Sequence, residues 1–338
     1  MFLRNSASAL AVAAIGLATA CDRSVEPAAA APAAVARVAA PSKKSAQQVP
    51  PPKAVNGFDL RGALIPVDEI ERGGPPRDGI PAIDQPKFLP PDKAEFLKPD
   101  DLVVSVTVGG EVRAYPLRVL VWHEIANDQI GTNSFSVTYC PLCGTCMVFD
   151  RRIGDRVLDW GVSGLLYKSD VLMYDRQTES LWSQLKMQAV AGELKGTKLR
   201  LLPSEHLTFA AWRKQNPNGR VLSTETGFNR RYHAMPYQGY EQREAIMFAV
   251  GQIRDELKNK DWVIGLLIGD RAYAVPVKRA GEGPVVISTD AGPITVTYET
   301  STKRVMATDR TGRSVPYVKA YWFAWQAFYP ETVVIPRD

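Results

Sequence analysis

Along the middle of the chain, apolar and polar residues alternate over short runs. In Phe135-Ser136-Val137-Thr138-Tyr139 every second residue is apolar, and a period of two sends successive side chains to opposite faces of a strand. A second apolar run, Met147-Val148-Phe149, follows after a short break. Together they predict strand, tight turn, strand. Comparable runs at Val103 to Val108, Val221-Leu222 and Val333-Val334 extend the pattern, and helical periodicity is confined to short stretches. The expected fold class is mainly β, of the α+β kind, with short helices. Before this region the pattern breaks down. Residues 57–101 are rich in Pro and Gly with few periodic runs, which suggests an irregular wrapping segment. Residues 21–56 are rich in Ala, Pro, Val and Lys and carry Pro50-Pro51-Pro52. They predict a disordered tether, because such a composition buries too little surface to offset its ordering entropy.

The pattern also repeats. Arg113-Ala114-Tyr115 recurs as Arg271-Ala272-Tyr273, and Val137-Thr138-Tyr139 recurs as Val296-Thr297-Tyr298 at nearly the same spacing. Met147, Asp150 and Arg151 match Met306, Asp309 and Arg310. Ala211-Trp212 with Pro217 matches Ala324-Trp325 with Pro330. Such agreement implies a duplicated β-rich module, 102–225 and 261–336, within a first repeat of 57–225 and a second of 261–338, joined by a connector at 226–260. Two copies of one fold allow an internal comparison. Cys140, Pro141, Leu142, Cys143 and Gly144 become Glu299, Thr300, Ser301, Thr302 and Lys303, so the fold itself does not need the cysteines. His123 falls near Gly281 and Glu282 in the second copy and is also missing there. The stretch from Arg151 to Trp212 is much longer than that from Arg310 to Trp325, which reads as an insertion in the first copy. The expectation is that the first copy holds a site, the insertion walls it, and the second copy is scaffold.

Composition adds an address. The chain has 338 residues, 45% of them hydrophobic, enough for a real core. Residues 1–20 hold an apolar, alanine-rich run from Ala9 to Ala20 that is too short to span a bilayer and reads as a cleaved signal peptide. Ala18-Thr19-Ala20-Cys21 resembles a bacterial lipobox, with Cys21 as the lipidated residue anchoring the protein to a membrane. Ordinary cleavage after Ala20 is the alternative. Both predict a cell-envelope location, on the periplasmic face of a membrane or as an exported soluble protein. The net charge of +5 is mild and no nucleic-acid motif is present, which argues against a nucleic-acid partner. There is no glycine-rich phosphate loop, no His-Glu-x-x-His helix, no Gly-x-Ser-x-Gly elbow and no Cys-x-x-Cys-His haem attachment.

The chemistry concentrates in Tyr139-Cys140-Pro141-Leu142-Cys143-Gly144-Thr145-Cys146-Met147. Cys-Pro-x-Cys-Gly suits a metal-binding knuckle, in which backbone N–H groups turn toward two thiolates and the glycine accepts a positive φ. Cys140 and Cys143 with the imidazole of His123, and Cys146, Met147 or Met173 nearby, would form a soft ligand set for Cu(I) or Zn²⁺. Such a protein could deliver metal to an envelope metalloprotein partner. The second reading is a periplasmic thiol–disulfide oxidoreductase, with Cys140 attacking, Cys143 resolving and His123 as base. Against it, no helix follows the first cysteine to lower its pKa. The third is a small-ligand binding module in which the cysteines are structural, although a bridge across two residues closes little entropy. His206, at an expected helix start in Ser204-Glu205-His206, and His233, in a loop, read as residues without a functional role. Whether the chain is an enzyme stays open.

Trp122-His123-Glu124-Ile125-Ala126-Asn127-Asp128, then Val137 to Thr145, then Val162-Ser163-Gly164-Leu165-Leu166-Tyr167 through Asp170, and Met173-Tyr174-Asp175-Arg176 through Trp182 resemble, in that order, the prokaryotic family catalogued as domain of unknown function 3179. The likeness covers roughly residues 60–336. It implies functional weight at His123, Cys140, Cys143, Ser163, Asp170 and Trp182, the last three as outer-layer or pocket residues. Cys146 departs from the family's pattern, and the family supplies no reaction.

Overall fold

The computed structural model describes residues 54–335; the expected signal peptide, Cys21 and nearly all of the tether lie outside the described residues. The chain is mainly β, with 40% strand and 11% helix, so sheets rather than helices must position any site. In the first half the order is β1 (Leu102–Val108), β2 (Glu111–Pro116), α1 (Leu117–Leu120), β3 (Ile125–Ile130), β4 (Asn133–Cys140) and β5 (Thr145–Asp150). Then come β6 (Trp160–Tyr167), β7 (Asp170–Asp175), β8 (Leu181–Ser183), β9 (Gln188–Ala191), β10 (Glu205–Thr208), α2 (Phe209–Gln215) and β11 (Arg220–Leu222). The second half runs β12 (Trp262–Ile268), β13 (Arg271–Pro276), α3 (Val277–Ala280), β14 (Val285–Ile287), β15 (Ile294–Glu299) and β16 (Arg304–Asp309). It ends with β17 (Val318–Tyr321), α4 (Trp322–Phe328) and β18 (Val333–Val334).

Five larger sheets form a five-blade, propeller-like ring. The alternating run predicted at 135–149 does form a hairpin, β4 and β5, with β3 completing its sheet. The two halves share one plan. In the first half β10 pairs antiparallel with β1 and β11 pairs parallel with β2; in the second, β17 pairs antiparallel with β12 and β18 parallel with β13. Parallel pairing needs a crossover, and α2 and α4 supply it in equivalent places. Thr208 caps α2 by accepting from the Ala211 N–H, and Trp212 and Trp325 are fully buried on the two helices. This topology is consistent with an internal duplication. One sheet, β9-β8-β7-β6 with the short strand Ile70–Arg72, has no counterpart, since β16 is followed directly by β17.

The halves interlock. β5 of the first half lies beside β17 of the second, and β16 of the second beside β10 of the first. The hydrogen bonds across these seams match as well. Tyr321 N donates to Cys143 O at 2.9 Å, and Thr208 N donates to Thr302 O at 2.8 Å. The cysteine turn and its cysteine-free equivalent are thus each docked on the opposite half. Between β11 and β12 the connector has a single helical turn, Gln238–Glu241.

Candidate functional site

Strand parity decides which cysteines meet. Cys140 ends β4 and Cys143 lies in the turn, and both face a core with Leu142, Met147 and Phe149. Cys146, on β5, alternates onto the other face, among Val137, Tyr139 and Val148. The turn depends on Gly144, whose φ is +68°, and a β-carbon there would lie 2.5 Å from the Trp262 ring. Glycine answers both demands. Cys140, Cys143 and Cys146 are each free and buried.

The partner of Cys140 and Cys143 comes from the next sheet. β6 and β7 are joined by Lys168 and Ser169, both left-handed at φ +50° and +67°, the geometry of a tight hairpin turn. That turn aims the Ser169 carbonyl at the thiols, with Cys143 Sγ donating at 3.3 Å and Cys140 Sγ at 3.8 Å. It also places Asp170 beside them. The two sulfurs and a carboxylate oxygen of Asp170 all lie within 4.8 Å of one another. Asp170 Oδ2 accepts from the Leu185 N–H at 2.9 Å, while Oδ1 is buried without a partner. Gln184, just before Leu185, ties the two sheets together: it accepts from Thr145 Oγ1 at 2.6 Å and donates to Thr138 Oγ1 at 2.8 Å.

Burial dominates the electrostatics. It pushes both thiols up, Cys143 further because it also hydrogen-bonds to Cys140. It raises the Asp170 carboxyl to about 7 against the pull of the Leu185 and Val171 N–H groups. It raises the neighbouring Glu124 to about 8, helped by the charge of Asp170. Glu124 is a buried carboxyl on a left-handed residue, φ +57°, with its own N–H and C=O held by Leu120 and Tyr139 at 2.6 Å. A site with protonated thiols and carboxyls is electrically neutral. It can discharge protons when a cation enters.

The other expected site residues are placed differently. His123 is fully buried but does not belong to the thiol–carboxylate group. Its Nδ1 faces the Pro81 carbonyl at 2.8 Å and its Nε2 the Tyr232 hydroxyl at 2.7 Å. Since a carbonyl only accepts, Nδ1 carries the proton and Nε2 accepts from Tyr232. Burial holds this ring neutral, with its pKa near 4. Ser163 sits at a bulge in β6, donating to Leu172 O and accepting from Leu165 N at 3.0 Å. Trp182 donates to Asp175 Oδ2 at 2.8 Å and stacks edge-on against Trp160. Met173 is buried in the same core as the thiols. His206 lies on β10 rather than at a helix start and is buried, with its Nε2 without a partner.

Asp170 therefore stands where the sequence suggested His123, because the contact runs between sheets and not along the chain. Glu124, Ser169 and Gln184 went unnoticed in the sequence. Glu124 and Ser169 left a trace, as the residue after His123 and the residue before Asp170. Fold and site together describe a propeller-like β protein, consistent with internal duplication, with one buried thiol–carboxylate centre among the described residues. The model of a family described as protein of unknown function (DUF3179) matches residues 77–315, and the chain belongs to that family. No curated protein and no solved structure matches the chain.

Proposed function

We propose that Cys140, Cys143 and Asp170 bind a divalent ion of zinc type, in a protein exported to the cell envelope and anchored there through Cys21. The observation that carries this reading is the Asp170 oxygen that is fully buried, unpartnered and clustered with two free thiols. Apolar burial of a lone acceptor costs about 1–3 kcal/mol, and a cation held by the two sulfurs would satisfy it. The donor set selects the ion. A carboxylate is harder than the imidazole expected beside the thiols, which favours Zn²⁺ over Cu(I). Three protein ligands leave a fourth position for water, a substrate atom or a transfer partner's ligand. The sheet β6 to β9, which supplies Asp170, is read as the insertion that equipped the first copy. Metal delivery to an envelope metalloprotein would follow from the open position.

Thiol–disulfide exchange is the second reading, and the shared approach of both thiols to Ser169 O favours it. Against it, burial raises both thiol pKa values, which lowers the thiolate fraction. Metal analysis of protein purified anaerobically separates the readings. We expect stoichiometric zinc in the wild type, loss in Cys140→Ser, and affinity weaker by about a hundredfold or more in Asp170→Asn, beyond the range for outer-layer residues. His123→Gln should keep its metal. Metal-free wild type with a readily formed disulfide would transfer the site to redox chemistry, and metal-free wild type with inert thiols to a ligand-binding module. Palmitate labelling, present in wild type and absent in Cys21→Ala, tests the anchor.

A further inference from the structure

The connector has no equivalent inside either half, and it lies over the thiol–carboxylate centre. Between residues 224 and 260 the only buried residue is Val250. Its other apolar side chains, Tyr237, Tyr240, Ile246, Phe248 and Ile253 among them, pack only half-buried on the core that holds the thiols, and a segment with so little fully buried surface opens at lower local free energy than the core does. Two of its polar contacts reach the centre. Tyr240 donates its hydroxyl to Leu142 O at 3.0 Å, between the two cysteines. Ser169, whose carbonyl faces both thiols, donates its hydroxyl to Phe248 O at 3.3 Å. Tyr232 donates to His123 Nε2 and meets Thr226 Oγ1 at 2.6 Å, while Arg118 donates to His233 O at 3.1 Å. Further along, Lys260 donates to Tyr240 O at 2.5 Å. A cavity of about 560 Å³ opens next to the same place, lined by Glu69, Lys168, Ala249, Gly251 and Gln326 among others. Lys168 directly precedes Ser169, so the cavity reaches the turn whose carbonyl faces the sulfurs.

We propose that residues 226–253 are a gate over Cys140, Cys143 and Asp170, latched by Tyr232 on His123 and by Tyr240 on the Leu142 carbonyl. Lifting the stretch around Phe248 to Gln252 joins the cavity to the Ser169 turn and opens a path for a cation to the sulfurs. This assigns His123 a place in the mechanism without ligation: it is a positioning residue whose neutral ring receives the latch. The inference rests on the thiol–carboxylate centre being the working site, and its test uses no metal.

Reduced, metal-free protein is treated with iodoacetamide below the unfolding transition, and alkylation of Cys140, Cys143 and Cys146 is followed separately by peptide mass spectrometry. Cys146 faces the other core, against which the connector packs only Tyr232, Met235 and Tyr237, and serves as the internal reference for opening beyond the gate. Cys140 and Cys143 should react faster than Cys146. Tyr232→Phe and Tyr240→Phe, which retain the rings, should each speed them by about fivefold, as expected for one lost hydrogen bond, with Cys146 and the melting temperature little changed. A common rate for all three thiols that tracks global unfolding would overturn the gate. So would rates unaffected by either tyrosine variant. A protein that binds no zinc but shows this selective labelling would keep the gate and lose the metal reading.

Discussion

Asp170 shows how much one residue's surroundings decide. Its carboxyl is raised from 3.8 to about 7, mainly by burial, so the folded protein holds this proton more tightly than the unfolded chain does. Stability from such a group is complete below about pH 4 and is lost as pH rises toward 7. The full shift corresponds to about 4 kcal/mol, shared with Glu124, which titrates near 8 in the same site. Metal-free protein should therefore lose thermal stability between pH 5 and pH 8. Asp170→Asn should flatten that slope, and zinc should restore the wild type at pH 8. Differential scanning calorimetry across that range measures all three, and a flat wild-type profile would show that Asp170 carries no such proton. The sequence singled out Asp170 but ranked it behind His123. Both are missing from the second copy, and joint absence marks residues that serve one site without saying which of them touch. The imidazole instead receives Tyr232, a contact made by a distant connector residue and invisible to chain spacing.

At the level of elements, the strand–turn–strand reading around the cysteines was legible because apolar residues at Phe135, Val137 and Tyr139 follow the period of a strand, although the structure buries the alternate face with Ser136 and Thr138 as well. The turn between the strands illustrates what duplication leaves behind. Gly144 and Lys303 occupy the same position in the two copies, both with positive φ, +68° and +55°. Only Gly144 is crowded, since Trp262 and Tyr321 press on it. Gly144→Ala should then cost about 2 kcal/mol or more through the combined backbone and packing penalty. Lys303→Gly should change stability by no more than about 1 kcal/mol, relief of the left-handed strain offsetting the added chain entropy. Chemical denaturation of the two variants measures the contrast. A cost at Gly144 of no more than about 1 kcal/mol would mean that the conformation alone, and not the aromatic pair, requires the glycine. The Lys168-Ser169 turn was harder to foresee, because neither residue is a glycine and the left-handed geometry is imposed by the sheet pairing of β6 with β7.

For the whole molecule, the second half does more than the scaffold role its missing cysteines suggested, because the ring joins each half's second sheet to the other half's first. Tyr321 from the second half donates its N–H to the Cys143 carbonyl, and Trp262 stacks on Tyr321 at 4.2 Å beside Gly144. The knuckle that would hold the metal is therefore finished by residues from a distant part of the chain. Repeats could be read from short matching motifs, but their interlocking could not, since either half could have closed on itself with the same internal pairings. A fragment of residues 54–225 would leave β5 and β10 as exposed edges and the Cys143 carbonyl unpaired. We expect it to self-associate and to bind no zinc, and we expect addition of residues 226–338 in trans to recover a monomeric complex with stoichiometric metal. Size-exclusion chromatography with metal analysis of each fraction measures both. A fragment that stays monomeric and retains zinc at full affinity would show that the first half completes its own site, and the seam between Cys143 and Tyr321 would then be packing without consequence for binding.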